Sequence, residues 1–285
     1  MRATLLLAIL AGCTVPESSA PVRPAALRVA TWNVHDLFDA EDRLASPGAE
    51  DDVPAPAEVE AKLERVAAVL RRLDADVVFL QEVENPPLLA ALAARTGHPH
   101  HRLVEGADPR GIDVAALSRL PIEAYVSHLG ERDEDGRPLW SRDCVEVHLG
   151  GLPRPVVLVG SHLVSRLSDD GTRRARQAAA LRAIADDVAR GDGDAVVIAG
   201  GDLNDEPGAP ALAPLLEDGV WLDAAAALAP AGAWTWADRD RRVRLDYLLV
   251  PRTAAAAVLR AWILDGDDVA AASDHRPVVL DLWIG

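Results

Sequence analysis

The chain has 285 residues, 49% of them hydrophobic, which is enough for one sizeable core or two small ones. Its formal net charge of −16 argues against a basic surface for nucleic acid, although a bound metal ion can supply the local positive charge that phosphate needs. No apolar run is long enough to span a bilayer.

The N-terminus has the pattern of a bacterial export signal. Arg2 precedes an apolar run over residues 3–10, which is typical of a signal-peptide core. Residues 10–13, Leu-Ala-Gly-Cys, resemble the bacterial lipobox, whose cysteine is lipidated. We therefore expect a signal peptide over residues 1–12 and a flexible tether over residues 13–26. Lipidated Cys13 would anchor the protein at a membrane of the cell envelope, on the periplasmic or outer surface, whereas an unlipidated Cys13 would indicate secretion.

Downstream of the tether, short apolar runs alternate with amphipathic segments. Helices are predicted over residues 58–73, 87–95, 172–190 and 210–217. Strands are predicted over residues 27–31, 77–80, 112–117, 122–128, 144–149, 155–160, 195–199, 244–250 and 278–283. Residues 40–56 are predicted to form an acidic surface loop, and residues 234–236 an irregular region. The alternation of strands and helices indicates an α/β layered fold.

The segment after the strand at residues 195–199 reads Gly-Gly-Asp-Leu-Asn-Asp-Glu-Pro. Its two glycines allow a sharp turn where the strand ends. Asp202 and Asn204 are therefore expected on an exposed turn. Taken alone, this segment is equally consistent with an Asx-type turn whose side chains bond their own backbone.

Polar residues stand at the ends of four predicted strands: Asn33, Glu82, His162 and Asp202. Residues at the same end of neighbouring strands converge on one rim of a sheet, where α/β proteins build their sites. Carboxylates gathered there without a cation would repel one another. Oxygen ligands suit Mg²⁺, Mn²⁺ or Ca²⁺, and such an ion beside a His–Asp pair suits hydrolysis of phosphate esters.

Seven segments carry a family resemblance. They are Thr31-Trp32-Asn33-Val34, Gln81-Glu82, Ser141-Arg142, Ser161-His162, Gly201-Asp202-Leu203-Asn204, Arg244-Leu245-Asp246-Tyr247 and Ser273-Asp274-His275-Arg276-Pro277. In this order they resemble the endonuclease/exonuclease/phosphatase superfamily, which includes pancreatic-type deoxyribonuclease, abasic-site endonucleases, inositol polyphosphate 5-phosphatases and bacterial sphingomyelinases. The resemblance implies one domain over residues 27–285. Its expected fold is a four-layered α/β sandwich of two central mixed β-sheets flanked by helices, with the site at one end of the sheets.

The resemblance also implies roles at the metal and the attacking water. Glu82 matches the principal Mg²⁺ ligand, with Mn²⁺ or Ca²⁺ as alternatives. Asn33 matches an amide that holds the metal or the phosphate, and Asp274 matches a carboxylate near the same ion. Asp202 matches the residue that orients or deprotonates the attacking water, and Asn204 one that binds a phosphoryl oxygen.

Further roles concern proton transfer and charge. His275, paired with Asp246, matches a dyad that acts as general base or as transition-state stabiliser. His162 matches a histidine that helps to protonate the leaving group in the deoxyribonuclease-like branch, and Arg142 matches a phosphate contact there. Physical chemistry supports the dyad, because a carboxylate fixes the tautomer of its histidine and favours the charged form. Asp246 also lies in an apolar strand, where an acid needs a partner.

Two segments depart from the family pattern. His35 stands where several members carry an acidic metal-site residue, so a second metal position is in doubt. Residues 161–166 resemble the run of secreted bacterial nuclease-like members, but with leucine and arginine replacing phenylalanine and lysine.

These features predict a Mg²⁺-dependent phosphodiesterase with a phosphodiester substrate, nucleic acid being favoured. Alternatives are sphingomyelinase-like or inositol-phosphate phosphatase activity, and a non-catalytic binding lipoprotein of the envelope. No protein partner is inferred.

The other conspicuous side chains are predicted to have structural roles. Cys144 is predicted to be a small core residue. His98, His100 and His101 are expected on the surface. The tryptophans at positions 221, 234, 236, 262 and 283 are expected in the core.

Overall fold

The fold is described from a computed structural model, over residues 26–41, 53–229 and 232–285. The expected signal peptide, Cys13 and all of the expected tether except its last residue lie outside these residues. Among the residues described, no helix is long and apolar enough to cross a membrane.

Helices and strands alternate along the chain. The helices are α1 (Pro56–Leu73), α2 (Pro86–Thr96), α3 (Thr172–Gly191), α4 (Ala213–Leu216) and α5 (Asp267–Ala272). The strands are β1 (Ala26–Leu37), β2 (Val77–Val83), β3 (His100–Leu103), β4 (Asp113–Ser118), β5 (Ile122–Ser127), β6 (Cys144–Leu149), β7 (Val156–His162), β8 (Val196–Asp202), β9 (Trp221–Asp223), β10 (Trp236–Asp238), β11 (Arg241–Val243), β12 (Asp246–Pro251), β13 (Val258–Ile263) and β14 (Val278–Trp283). Short 3₁₀ helices cover Pro210–Leu212 and Arg252–Ala257.

Two six-stranded mixed sheets form the centre of the fold, as expected from the sequence. Sheet 1 has the strand order β13-β14-β1-β2-β4-β3, and sheet 2 has the order β5-β6-β7-β8-β12-β9. The pairs β1/β2 and β7/β8 are parallel, and the other neighbours are antiparallel. Strands β10 and β11 form a separate hairpin. The carboxyl ends of the parallel pairs carry the polar residues singled out above.

Three apolar clusters define four layers. Helix α1 places Leu63, Val66 and Leu70 on one face, at the spacing that covers a sheet, and packs with α2 and α5 on the outside of sheet 1. Helix α3 covers the outside of sheet 2. The third cluster lies between the sheets and includes Phe79 of β2 and Leu158 of β7. The four-layered sandwich is thereby confirmed.

The two sheets approach each other closely near the site. A β-carbon at Gly160 of β7 would lie 2.6 Å from the ring of Phe79 on β2. Only a residue without a side chain fits against this ring, so Gly160 sets the distance between the sheets at this point.

The two glycines before Asp202 do not form the expected turn. Strand β8 continues through Gly200 and Gly201 and ends at Asp202, which is buried rather than on an exposed turn. Gly201 has a φ of +124°, and a β-carbon there would lie 1.9 Å from the carbonyl oxygen of Ser161 on β7. The glycines are therefore required by the close approach of neighbouring strands and by their backbone conformation.

Gly201→Ala is expected to destabilise the protein by about 3 kcal/mol, because the new methyl group collides with backbone that cannot move aside. Urea unfolding would measure this loss. The control is Gly191→Ala at the end of α3, where no atom lies within 4 Å of the added methyl group. That variant should be as stable as the wild type or up to about 1 kcal/mol more stable. Equal stabilities of the two variants would refute the steric argument.

The burial of some histidines and tryptophans differs from the prediction. His98 is buried, not exposed: its Nδ1 lies 2.8 Å from Thr96 Oγ1 and its Nε2 lies 3.2 Å from the carbonyl oxygen of Ala75. Of the tryptophans expected in the core, Trp221 is buried, but Trp283 is 49% exposed. Cys144 is fully buried in the core behind sheet 2, as predicted.

Candidate active site

The candidate site is a cavity of about 330 Å³ at one end of the two sheets. Strands β1 and β2 of sheet 1 contribute Asn33 and Glu82, and β7 and β8 of sheet 2 contribute His162 and Asp202. Eight of the nine predicted site residues line this cavity, namely Asn33, Glu82, Arg142, His162, Asp202, Asn204, Asp274 and His275. The ninth, Asp246, is fully buried behind His275.

Asp202 lies at the centre of the cluster. Its Oδ2 accepts a hydrogen bond from Asn33 Nδ2 at 3.0 Å and lies 3.4 Å from His162 Nε2 and 3.9 Å from His275 Nε2. The backbone N–H of Asn204 donates to Asp202 Oδ1 at 2.9 Å. These contacts hold the carboxylate in one orientation, which a water-orienting group requires.

His275 and Asp246 form the expected dyad. His275 Nδ1 lies 2.8 Å from Asp246 Oδ2. The hydroxyl of Thr235 accepts hydrogen bonds from the backbone N–H groups of Leu245 and Asp246, at 2.9 and 3.1 Å. Trp32 Nε1 donates to the carbonyl oxygen of His275 at 3.0 Å. The dyad is therefore held by Trp32 of sheet 1 and by Thr235, which directly precedes the β10/β11 hairpin.

The pKa values of Asp202 and His275 differ from those of the same groups in water. Burial, and then the charge of Asp246, raise the pKa of Asp202 to about 7. Burial alone would lower the pKa of His275, but the charge and hydrogen bond of Asp246 outweigh it and raise this pKa to about 10. At neutral pH, His275 is a cation, and Asp202 is close to its point of half-ionisation.

His162 is a neutral imidazole. Burial and the neighbouring Arg142 lower the pKa of His162 well below its usual value. Arg142 Nη1 lies 2.9 Å from His162 Nε2, and Arg142 Nε lies 3.2 Å from Asp108 Oδ2. Arg142 is thus buried at the site and does not form a surface pair.

Glu82 lies on the sheet 1 side of the cavity. Its Oε1 accepts from Asn33 Nδ2 at 3.1 Å, and its Oε2 accepts from the backbone N–H of Asp36 at 3.0 Å. Burial and the charge of Glu82 raise the pKa of Asp36 to about 6. Arg110 contacts the Asp36 carboxylate, and its Nη2 lies 3.7 Å from Glu82 Oε2. The carboxylates of Asp36 and Glu82 lie close together and already attract the Arg110 side chain. Two such carboxylates suit a divalent metal ion as oxygen ligands.

Asp274 lies between two partners on this side of the cavity. Its Oδ2 accepts from Trp236 Nε1 at 2.8 Å. Its Oδ1 lies 3.0 Å from His35 Nδ1. The predicted metal-ligand roles of Glu82, Asn33 and Asp274 stay predictions.

Several residues that line or border the cavity were not identified from the sequence. Arg110 and Arg241 line it, and Asp36 borders it. Arg166 also lines the cavity, and the sequence had already singled it out as a departure from the family pattern. Arg110 and Asp36 are brought to the site by loop and bulge geometry, so no strand pattern identifies them.

The backbone is strained around the site. His35, Asp36, Glu82 and Asn204 have φ values of 54°, 49°, 65° and 53°. They are four of the six non-glycine residues with positive φ in the described part of the chain. Such conformations concentrate where function requires a particular side-chain direction.

Comparisons with known proteins agree with the fold. The sequence model of the Endonuclease/Exonuclease/phosphatase family matches residues 30–275. A search of curated proteins finds no match.

Three solved structures resemble the fold, each covering 90% of this chain. The human Nocturnin catalytic domain with a bound sulfate anion has a TM-score of 0.67, 17% identity and 94% of its own chain covered. An endonuclease/exonuclease/phosphatase family protein from Bacteroides thetaiotaomicron has a TM-score of 0.65 and 18% identity, with 94% of its own chain covered. TDP2 from D. rerio, complexed with a single-strand DNA product, has a TM-score of 0.63 and 18% identity, with 99% of its own chain covered.

Proposed function

The chain belongs to the endonuclease/exonuclease/phosphatase family, and we propose that it is a nuclease-like phosphodiesterase that uses a divalent metal ion, Mg²⁺ first. The environment of Asp202 carries the proposal. One buried carboxylate lies 3.0 Å from Asn33, 3.4 Å from His162 and 3.9 Å from His275. This arrangement suits a group that prepares water beside a phosphate-binding cation.

Asp202 is assigned the role of general base. With a pKa of about 7, a large fraction of its carboxyl groups is ionised at neutral pH and can accept a proton from the attacking water. His275 cannot accept this proton, because Asp246 holds it as a cation below a pH of about 10. It instead stabilises the negative charge that builds on the phosphoryl oxygens.

Arg142 and Asn204 are assigned to the phosphoryl oxygens. Arg142 is a fixed, buried cation, and Asn204 is held by its side-chain hydrogen bond to the carbonyl oxygen of Leu163 at 2.9 Å. His162 would protonate the leaving group. Because it is neutral in the free protein, the negative charge of the substrate must first raise its pKa.

The metal ion would be held by Glu82, with Asn33 and Asp274 as the further predicted ligands. A bound divalent ion neutralises charge on the phosphoryl oxygens.

The proposed substrate is a nucleic acid. The cavity is lined by Arg110, Arg142, Arg166 and Arg241, on a chain whose net charge is −16. Each of these cations already pairs with a carboxylate, and a substrate with more than one phosphate group would compete for them. The bound DNA product in the TDP2 structure supports the same class of substrate.

A lipid phosphodiester is a second candidate. Leu167 lines the cavity and is 98% exposed, so its side chain would meet an apolar part of a bound substrate.

We also propose a lipid anchor at Cys13. Labelled palmitate is expected to be incorporated in a bacterial host and to be lost in Cys13→Ser. Equal labelling of both proteins would exclude this anchor.

The test of the function is a substrate panel. The full chain would be incubated with plasmid DNA, RNA, a chromogenic phosphodiester, sphingomyelin and an inositol polyphosphate, each with Mg²⁺ and with chelator. Nicking of DNA that the chelator abolishes would support the proposal. Turnover of sphingomyelin or the inositol phosphate alone would support metal-dependent hydrolysis but refute nucleic acid as the substrate. No turnover of any substrate with Mg²⁺, Mn²⁺ or Ca²⁺ would refute the proposal that the protein is a phosphodiesterase.

A further inference from the structure

Two side chains beside Glu82, His35 and Asp36, carry groups able to bind a metal ion but have no role in the function proposed above. One ring nitrogen of His35 and one carboxylate oxygen from each of Asp36 and Glu82 lie within 4.8 Å of one another. An imidazole beside two carboxylates is a mixed nitrogen–oxygen donor set, unlike the all-oxygen sets that Mg²⁺ and Ca²⁺ prefer.

A β-bulge directs these side chains towards Glu82. The register of β1 against β2 shifts between Asn33 and Leu37. Within this bulge, His35 and Asp36 both adopt the left-handed backbone conformation. Consecutive residues of a regular strand point to opposite faces, so the bulge allows both to face one position.

Asp274 fixes the orientation of the imidazole. His35 Nδ1 lies 3.0 Å from Asp274 Oδ1, whereas His35 Nε2 lies 4.0 Å from Asp36 Oδ2. Histidine ligands of metal ions commonly place their second nitrogen against a carboxylate, which sets the tautomer and the ring direction. Nε2 is thereby the nitrogen left to bind an ion.

A cation already contacts both carboxylates. The Arg110 guanidinium pairs with Asp36 and lies 3.7 Å from Glu82 Oε2. The Arg110 side chain is 52% exposed, so it can move into solvent when a divalent ion takes its place. The position therefore attracts positive charge and is accessible.

We propose that His35 Nε2, Asp36 and Glu82 bind a divalent transition-metal ion of the Mn²⁺, Co²⁺ or Zn²⁺ class, with Asp274 orienting His35. The inference rests on the proposed function in one respect: it places this ion in the cavity where hydrolysis is proposed to occur. An imidazole ligand raises affinity for these ions relative to Mg²⁺.

The test measures metal binding directly on the chelator-treated full chain. Electron spin-echo measurements on bound Mn²⁺ should show coupling to a nitrogen-14 nucleus of an imidazole. Calorimetric titrations with Zn²⁺ and with Mg²⁺ give the ratio of the two affinities. Neither readout requires turnover.

His35→Asp is the main variant, because aspartate tolerates the left-handed conformation and gives an all-oxygen set. It should abolish the nitrogen coupling and reduce the Zn²⁺-to-Mg²⁺ affinity ratio about 10- to 100-fold. Asp36→Asn should weaken Mn²⁺ binding but keep the coupling. The control is His148→Gln, which removes an imidazole 2.9 Å from Glu146 and outside the cavity lining. It should leave both readouts unchanged.

Absence of nitrogen coupling in the wild type, or its persistence in His35→Asp, would overturn the inference. If the panel shows hydrolysis without nitrogen coupling, the phosphodiesterase stands and this metal site does not. If the coupling depends on His35 but no substrate is turned over, the metal site stands and the proposed function fails.

Discussion

Asp202→Asn is expected to reduce phosphodiester hydrolysis by about 10³-fold, equivalent to about 4 kcal/mol in activation free energy. Asparagine has nearly the same shape as aspartate but cannot accept a proton from water. The substrate that the panel identifies would be used to measure kcat and KM. We expect the loss in kcat, because the substitution affects the reacting water more than binding.

The same substitution should stabilise the fold at alkaline pH. The pKa of Asp202 is about 7 in the folded protein, above its ordinary value of 3.8, so folding free energy is lost progressively between pH 3.8 and about 7, and the full loss is present above pH 7. The Asp202→Asn protein avoids this cost, and its melting temperature should exceed that of the wild type at pH 8 and less so at pH 5. The control is Asp218→Asn, which removes an exposed partner of Arg182 and should keep full activity. An active Asp202→Asn enzyme would contradict the assigned role.

Asp246→Asn is expected to reduce activity by about 10²- to 10⁴-fold by changing the charge of His275. Without the carboxylate, the pKa of His275 should fall from about 10, because burial lowers it and only the charges of Asp202 and Asp274 remain to raise it. NMR titration of the imidazole resonances would measure this change. His98, near the opposite end of β2, is an internal control whose pKa should stay the same in both proteins.

The dyad also predicts a pH dependence of stability. Because the folded pKa of His275 is raised above 6.5, its contribution is fully present below pH 6.5 and is lost as the pH rises through about 10. Urea unfolding should therefore show a larger difference between the wild type and Asp246→Asn at pH 6 than at pH 10. A difference that grows with pH would contradict the assignment of a cationic His275.

The sequence predicted the parts of the site that regular strands position. Asn33, Glu82, His162 and Asp202 lie at the same end of neighbouring strands, so the apolar pattern was enough to bring them together. Asp246 was recognisable because an acid among apolar strand residues needs a partner, and His275 is that partner.

Other features depend on tertiary contacts that the local pattern does not contain. The edge strands β3 and β13 were missed because their residues are mostly half-buried or exposed, which weakens the alternation. Helix α5 is too short to show helical periodicity. The close contact of Gly201 with Ser161, and the bulge that carries Asp36, became visible only in three dimensions.

The contact between Phe79 and Gly160 in the core affects the positions of the residues in the candidate site. It fixes the separation of the two sheets, and Asn33 Nδ2 bridges Glu82 of sheet 1 and Asp202 of sheet 2. A substitution at Phe79 that repacked the interior without loss of stability would still displace the proposed catalytic groups of one sheet relative to those of the other. We therefore expect that a variant at this core position can be well folded and still lack the proposed activity.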